Sequence, residues 1–162
     1  MEPEHMSASA AYLERTKNDK EPDFTKIVAD RLWIEGQRER SERKEQEVRE
    51  HERQRRLKLA EQALVSVVSP VLEKVRQALY AGGRFAEIGN GRDPHKSLRL
   101  SLRIARAREA LVFTACDGST PYLGWHTEPA DMAVSKKPEA IEDPTPGEIA
   151  RIVADFLTRA IA

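Results

Sequence analysis

Between residues 35 and 56 the chain carries seven acidic and eight basic side chains, and Val48 is its only sizeable apolar residue. Charged side chains are buried only when paired, so this segment cannot line a core. It can stand in water as a helix. Glu39 with Arg43, Glu45 with Arg49 and Glu52 with Arg56 are acid-first pairs four residues apart, each worth about 0.2–0.5 kcal/mol to a solvated helix. A heptad register projected back from Leu57 puts Glu50, Arg43 and Gly36 at one seam position and Arg53, Gln46 and Glu39 at the other. A coiled-coil seam therefore cannot run through the charged part.

Apolar spacing flanks this segment on both sides. Before it, Phe24, Val28 and Leu32 recur every four residues with Ile27 and Ile34 beside them, and Trp33 is read as widening the same face. After it, Leu57, Ala60, Leu64, Val67, Val68, Val71, Leu72, Val75 and Leu79 form a stripe that must pack against the rest of the chain or a second copy. Asp23 is a suitable N-cap and Gly82 with Gly83 a natural stop, so the sequence predicts a long helical region over 23–80. Ser69 and Pro70 predict a restart or kink, because proline lacks the amide donor and suits a first helical position. Residues 1–22 are too polar to offset their ordering entropy and are expected to form a disordered tail, in which His5, Met6 and Ser7 could be a cloning remnant.

After Gly83 the apolar period falls from about 3.6 to 2, the signature of strands. A short strand is expected at 85–88. The clearest follows, where Leu98, Leu100, Leu102 and Ile104 alternate with Ser97, Arg99, Ser101 and Arg103. Strands at 110–116 and 122–127 complete an antiparallel meander, with turns at 107–109 and 117–121. The prolines at 129, 138 and 144 mark a loop in which Val134 or Ile141 could seat one more short strand. Thr145, Pro146 and Glu148 then spell a helix start, and Ile149, Ile152, Val153, Phe156, Leu157 and Ile161 give that helix one apolar face. The expected class is α+β: a long N-terminal helix, then a small domain over 81–162 in which the meander is covered by the C-terminal helix.

Chemistry is harder to read. The 27 basic and 27 acidic residues cancel, so no long-range field pulls the chain to nucleic acid or an anionic membrane. One cysteine, Cys116, allows no internal disulfide and fits a cytoplasmic location, and no apolar run is long enough to span a membrane. His95, Cys116, Asp117 and His126 fall near the ends of neighbouring strands but match no zinc-ligand spacing, so the expectation is a buried, unreactive thiol and solvent-facing histidines. Gly89, Asn90, Gly91 and Arg92 are glycine-rich, but no helix follows to receive a phosphate. They read as a turn between strands. No catalytic residue, metal or cofactor is assigned.

The expected function is accordingly a nonenzymatic protein–protein interaction module, serving as an adaptor, inhibitor or accessory subunit. Its partner-binding residues would be Phe24, Ile27, Val28, Leu32, Trp33 and Ile34, which the charged segment would hold about 33 Å from the domain at 1.5 Å per residue. The partner would be another protein, with a homodimer through 57–80 as one form. The alternative is nucleic-acid binding. Residues 84–108 hold seven bases against two acids, and Lys96, Arg99, Arg103 and Arg106, with Arg53, Arg55 and Arg56 on the helix, are the candidate contacts. Against that, 109–162 hold nine acids against four bases, and the last helix opens with Thr145, Pro146, Gly147 and Glu148 rather than lysines, so a double-stranded RNA-binding module is not read here. A small enzyme is the second alternative.

Overall fold

The structure is a computed structural model that describes residues 21–131 and 136–161. The expected tail over residues 1–20 and the strand position at Val134 lie outside the described residues. Helix α1 runs Phe24–Ala63, passes through a π-helical turn at Leu64–Val68, and continues as α2, Ser69–Ala81. Strands β1 (Ala86–Arg92), β2 (Leu98–Ile104), β3 (Glu109–Cys116), β4 (Tyr122–Pro129) and β5 (Glu139–Ala140) follow, and α3, Pro146–Ala160, closes the fold. The chain divides into two units, Met1–Val48 and Arg49–Ala162. No helix among the described residues is long and apolar enough to cross a membrane.

Asp23 opens α1 by accepting from the Lys26 amide at 3.2 Å, as an N-cap should. The stop is equally local. Gly83 takes φ +80°, the amide of Arg84 donates to the Leu79 carbonyl at 2.8 Å, and the amide of Gly83 donates to Tyr80 at 3.0 Å. That is the Schellman pattern, and a left-handed residue at this place favours glycine. At the expected restart or kink at Ser69 and Pro70 the helix runs on without interruption, through the π turn that precedes it. Ser69 keeps helical angles, and its amide donates to Leu64 five residues back. Pro70 would clash with the carbonyl four residues before it in an ordinary turn, and the wider π turn accommodates the ring without stopping the helix. The same turn serves the packing. Ala60, Leu64, Val68 and Leu72 are all buried at strict four-residue spacing, a line that drifts around a 3.6-residue helix. The extra residue in the π turn takes the drift back, so one line of side chains stays on the core.

All five strands pair in chain order, each antiparallel to its neighbour. Alternation sorts their side chains. Leu98, Leu100, Leu102 and Ile104 of β2, Leu111, Phe113 and Ala115 of β3, and Leu123 and Trp125 of β4 face one way and join the helical stripe and α3 in a single core. From α3 that core receives Ile149, Ile152, Val153 and Phe156. Thr145 caps α3, its Oγ1 accepting from the Glu148 amide at 3.2 Å. Of the stripe over 57–79, Ala60, Leu64, Val68 and Leu72 are buried in the core with this chain's own sheet and last helix, and Leu57, Val67, Val71, Val75 and Leu79 pack half-buried against the same core.

Two local expectations need correction. Residues 89–92 are not a turn but the second half of β1, which pairs with β2 from Ala86 opposite Ile104 to Arg92 opposite Leu98. Gly89 leaves room there for the neighbouring strand's Ser101, whose hydroxyl lies 2.4 Å from where a Cβ would sit and would have to rotate away from one. The turn falls later, where Lys96 adopts φ 63° and its amide donates to the Asp93 carbonyl. The second correction concerns Trp33. Nine residues, about two and a half helical turns, separate it from Phe24, so it points away from the Phe24 face rather than widening it.

Replacing fully buried Leu64 by Ala should lower unfolding stability in urea by about 2–5 kcal/mol, whereas Val65→Ala, at a site 65% exposed, should change it by less than about 0.5 kcal/mol. Equal losses at the two sites would show that the π turn does not set which side chain faces the core.

Candidate functional site

The six residues expected to bind a partner all lie on the formed part of α1 in the first unit. Phe24 and Trp33 are each 63% exposed, Val28, Leu32 and Ile34 are each more than half exposed, and Ile27 is half-buried. None of the six belongs to the core. With Trp33 on the side opposite Phe24, apolar surface is presented on two sides of one helix. A single flat contact would not cover both.

The basic residues proposed for nucleic acid are mostly engaged. Arg53 grips Glu50 with two nitrogens, at 3.0 and 2.8 Å, and also pairs with Asp117. Arg55 takes Glu52 in the same forked way, at 3.0 and 2.8 Å, and Arg56 reaches the same carboxylate at 3.1 Å. Hydrogen bonds from Arg53 and then Gln54 hold the Glu50 carboxyl at about 2, and those from Arg55 and Arg56 hold Glu52 at about 2. Arg99 is bound to Glu128 at 2.5 Å. Of the candidate set, only Lys96, Arg103 and Arg106 are exposed with no carboxylate partner among the described residues, and two of them sit in turns, where Arg106 has φ 70°. The expected basic stripe is not a continuous cationic surface.

The residues that the structure does gather lie on the sheet face opposite the helices. Alternation puts Arg99, Ser101 and Arg103 of β2, Val112, Thr114 and Cys116 of β3, and Gly124, His126 and Glu128 of β4 on that face, with Val112 opposite His126 and Thr114 opposite Gly124. Arg99 and Glu128 meet across β3, whose intervening Ala110 and Val112 are small and buried. Glu128 is 3% exposed and His126 8% exposed, with His126 Nε2 3.4 Å from the second Glu128 oxygen. Among the described residues, His126 Nδ1 is buried with no hydrogen-bond partner. The histidine is therefore not solvent-facing as expected from sequence, and Arg99 is not an ordinary surface cation. A cavity of about 430 Å³ opens beside this cluster, lined by Asp93, His95, Ser97, Arg99, Thr114, Cys116, Asp117, His126 and Lys136. Its far wall is positioned by Gly124, where a Cβ would come within 2.7 Å of Pro138, and by the Tyr122 hydroxyl, which donates to the Pro138 carbonyl at 3.3 Å.

All four residues weighed as a metal or thiol site, His95, Cys116, Asp117 and His126, line that cavity. They do not form a ligand set. Among the described residues no three His, Cys, Asp or Glu side chains are placed to hold one ion. Burial pushes the Cys116 thiol above its ordinary range, the wrong direction for a nucleophile, since thiolate is the reactive form. Glu128 escaped the reading of the sequence, although the period-two pattern from Tyr122 onward places it on the face of Arg99. Comparison with known proteins gives no matching family model, no matching curated protein and no matching solved structure.

Glu128→Gln should destabilise the fold by about 1.5–3 kcal/mol in denaturant unfolding, the usual range for a lost charge-assisted hydrogen bond, while Arg103→Gln on the same strand should be near neutral. Acid should act separately on the helix. Because Glu50 and Glu52 titrate lower folded than unfolded, their contribution is present above the ordinary glutamate range near 4.3 and lost as pH falls toward about 2. A melting temperature that fell across this interval at low salt, and fell less in high salt, would match solvent-exposed pairs.

Proposed function

We propose that this protein is a nonenzymatic interaction module that docks on another protein through Phe24, Ile27, Val28, Leu32, Trp33 and Ile34, as an adaptor, inhibitor or accessory subunit. One observation carries the reading: a formed helix presents five large apolar side chains that are each more than half exposed. Exposed apolar patches of this kind mark interaction surfaces. A deep groove that takes Phe24, Val28 and Leu32, spaced by four residues, on one wall and Trp33 on the other is the mode that fits, tryptophan being a usual energetic centre of such contacts.

Self-pairing is less suitable. A stable interface buries about 1,200–2,000 Å², and a second copy of so short a patch would have to extend the contact into the charged residues that follow Ile34. A partner that wraps the helix can cover Phe24 and Trp33 together. The single cysteine, Cys116, supports placing the interaction in a reducing compartment such as the cytoplasm. Nucleic-acid binding ranks second because Arg53, Arg55, Arg56 and Arg99 already hold carboxylates.

A photoactivatable side chain placed at Trp33 in the full chain, in the cells that make it, should give one discrete adduct with another protein. The same group at Arg43 should give none, and adding Leu32→Asp should abolish the Trp33 adduct. Adducts only between copies of the chain, or none at all, would refute docking on a foreign partner. Removing residues 1–35 should move the melting temperature of the remaining fold by no more than about 2 °C, because no patch residue belongs to the core.

A further inference from the structure

We infer that the open edge of β1 pairs antiparallel with the β1 of a second copy, about a two-fold axis through Gly89, so that two sheets join into one. Among the described residues β1 ends the sheet, with β2 on one side and no strand on the other. Which of its groups face outward follows from the hydrogen bonds at its two ends. Phe85 accepts from the Ala105 amide at 2.9 Å, and the Asp93 amide donates to the Ser97 carbonyl at 3.0 Å. Both pairs continue the β1–β2 register, so odd-numbered residues of this strand bond to β2 and even-numbered ones turn their N–H and C=O away from it. Ala86 is buried, whereas Asn90 is exposed and Ile88 half-buried. The outward amides and carbonyls of Ile88 and Asn90 have no partner among the described residues.

An unpaired edge is a template for another strand, and proteins that stay monomeric blunt it with devices such as lysine, proline or a bulge. β1, Ala86–Arg92, contains neither lysine nor proline, and its register with β2 runs without a bulge. It carries glycine at 89 and 91 instead, on the face away from the helices. Glycine in a strand suits the close approach of a second backbone. A Cβ at Gly91 would meet nothing within 4 Å, so no described neighbour in this chain accounts for the missing side chain.

Charge selects the occupant and the register together. Outward-facing residues must meet outward-facing residues, so the axes that keep the middle of the strand paired pass through residue 88, 89 or 90. An axis at Asn90 sets Glu87 opposite the second copy's Asp93, and like charges directly opposed repel. An axis at Ile88 demands that buried Ala86 pair with Asn90. The axis at Gly89 avoids both. It pairs Ile88 with the second copy's Asn90 and Asn90 with its Ile88, each pair exchanging two hydrogen bonds. The closer pairs between them, Gly89 with Gly89 and Glu87 with Gly91, each contain a glycine. Arg99 of β2 stands directly behind Gly91, so the incoming Glu87 points over a residue without a side chain toward that guanidinium, about 10 Å away between backbones at about 4.8 Å per strand. Its carboxylate then lies between Arg103, its own neighbour on β2, and the second copy's Arg99, which keeps N–H donors beyond the one given to Glu128. A seam of two short strands covers less than the about 1,200–2,000 Å² of a stable interface, so the dimer forms and dissociates with concentration.

Sedimentation equilibrium of the full chain at rising concentration should show the mass climb from one chain toward two. Asn90→Pro removes only an outward amide, a change that an edge strand accepts. It should weaken dimerisation at least about tenfold and leave the melting temperature of the dilute chain unchanged. Glu87→Lys should weaken dimerisation severalfold, and it carries the same test should the proline variant prove unfolded. The register is read in a Cys116→Ser background by mixing a chain bearing Ile88→Cys with one bearing Asn90→Cys. Opposed residues of a hydrogen-bonded pair stand about 5.5 Å apart, within disulfide reach, so mild oxidation should link the mixture faster than either chain alone. A mass of one chain at every concentration overturns the inference and leaves the edge to a strand of another protein. A dimer that both Asn90→Pro and Glu87→Lys leave intact overturns it too, as does cross-linking no faster in the mixture than in the separate chains.

Discussion

The fold rests on one act of burial: a single antiparallel sheet gives one face to a layer made of the 60–72 helical line and α3. Every other assignment follows from which side of that sheet a residue occupies. A two-layer arrangement needs only one apolar face per strand, and β2 supplies it strictly, with leucines and isoleucine at even positions and serine and arginine at odd ones. The same alternation that fills the core therefore delivers Arg99, His126 and Glu128 to the opposite face. The polar cluster is a by-product of the register that makes the core.

Much of this was legible in the sequence, and the parts that were not have physical reasons. Apolar periodicity gave the class, the strands from β2 to β4 and the last helix, because burial on one face imposes it directly. The π turn was hidden. Pro70 signals trouble in any helix, but whether the chain kinks, stops or widens depends on the sheet and α3 beneath Leu64 and Val68, which no local pattern encodes. Gly89 and Gly91 misled for the opposite reason: they look like turn residues, yet they are small because Ser101 leans on one of them and the strand needs no side chain there.

The candidate site was legible only in fragments. His95, Cys116, Asp117 and His126 were seen to fall near neighbouring strand ends, and they do share a cavity, but their spacing contains nothing about the ion pair that organises it. Glu128 stands 29 residues from Arg99, and a carboxylate that distant looks like part of the acidic excess of the C-terminal half. Its partner becomes visible only through the β2–β3–β4 register. Conversely, the exposure of the helical patch was readable, since it follows from periodicity and the lack of a continuing seam, although Trp33 was assigned to the wrong side of the helix.

The strict chain order of the sheet also bears on how the module assembles. Each strand pairs with its sequence neighbour, so the hairpins close short loops at little entropic cost. The contact of the 60–72 line with α3 is different in kind, because it joins segments on either side of the entire meander. Until that closure is made the sheet's apolar face has only part of its cover. Cooperativity in this domain is thus concentrated at one long-range seam, where Leu64, Val68 and Leu72 meet Ile149, Val153 and Phe156, and chain cleavage anywhere in the meander would turn that seam from an intramolecular contact into a bimolecular one.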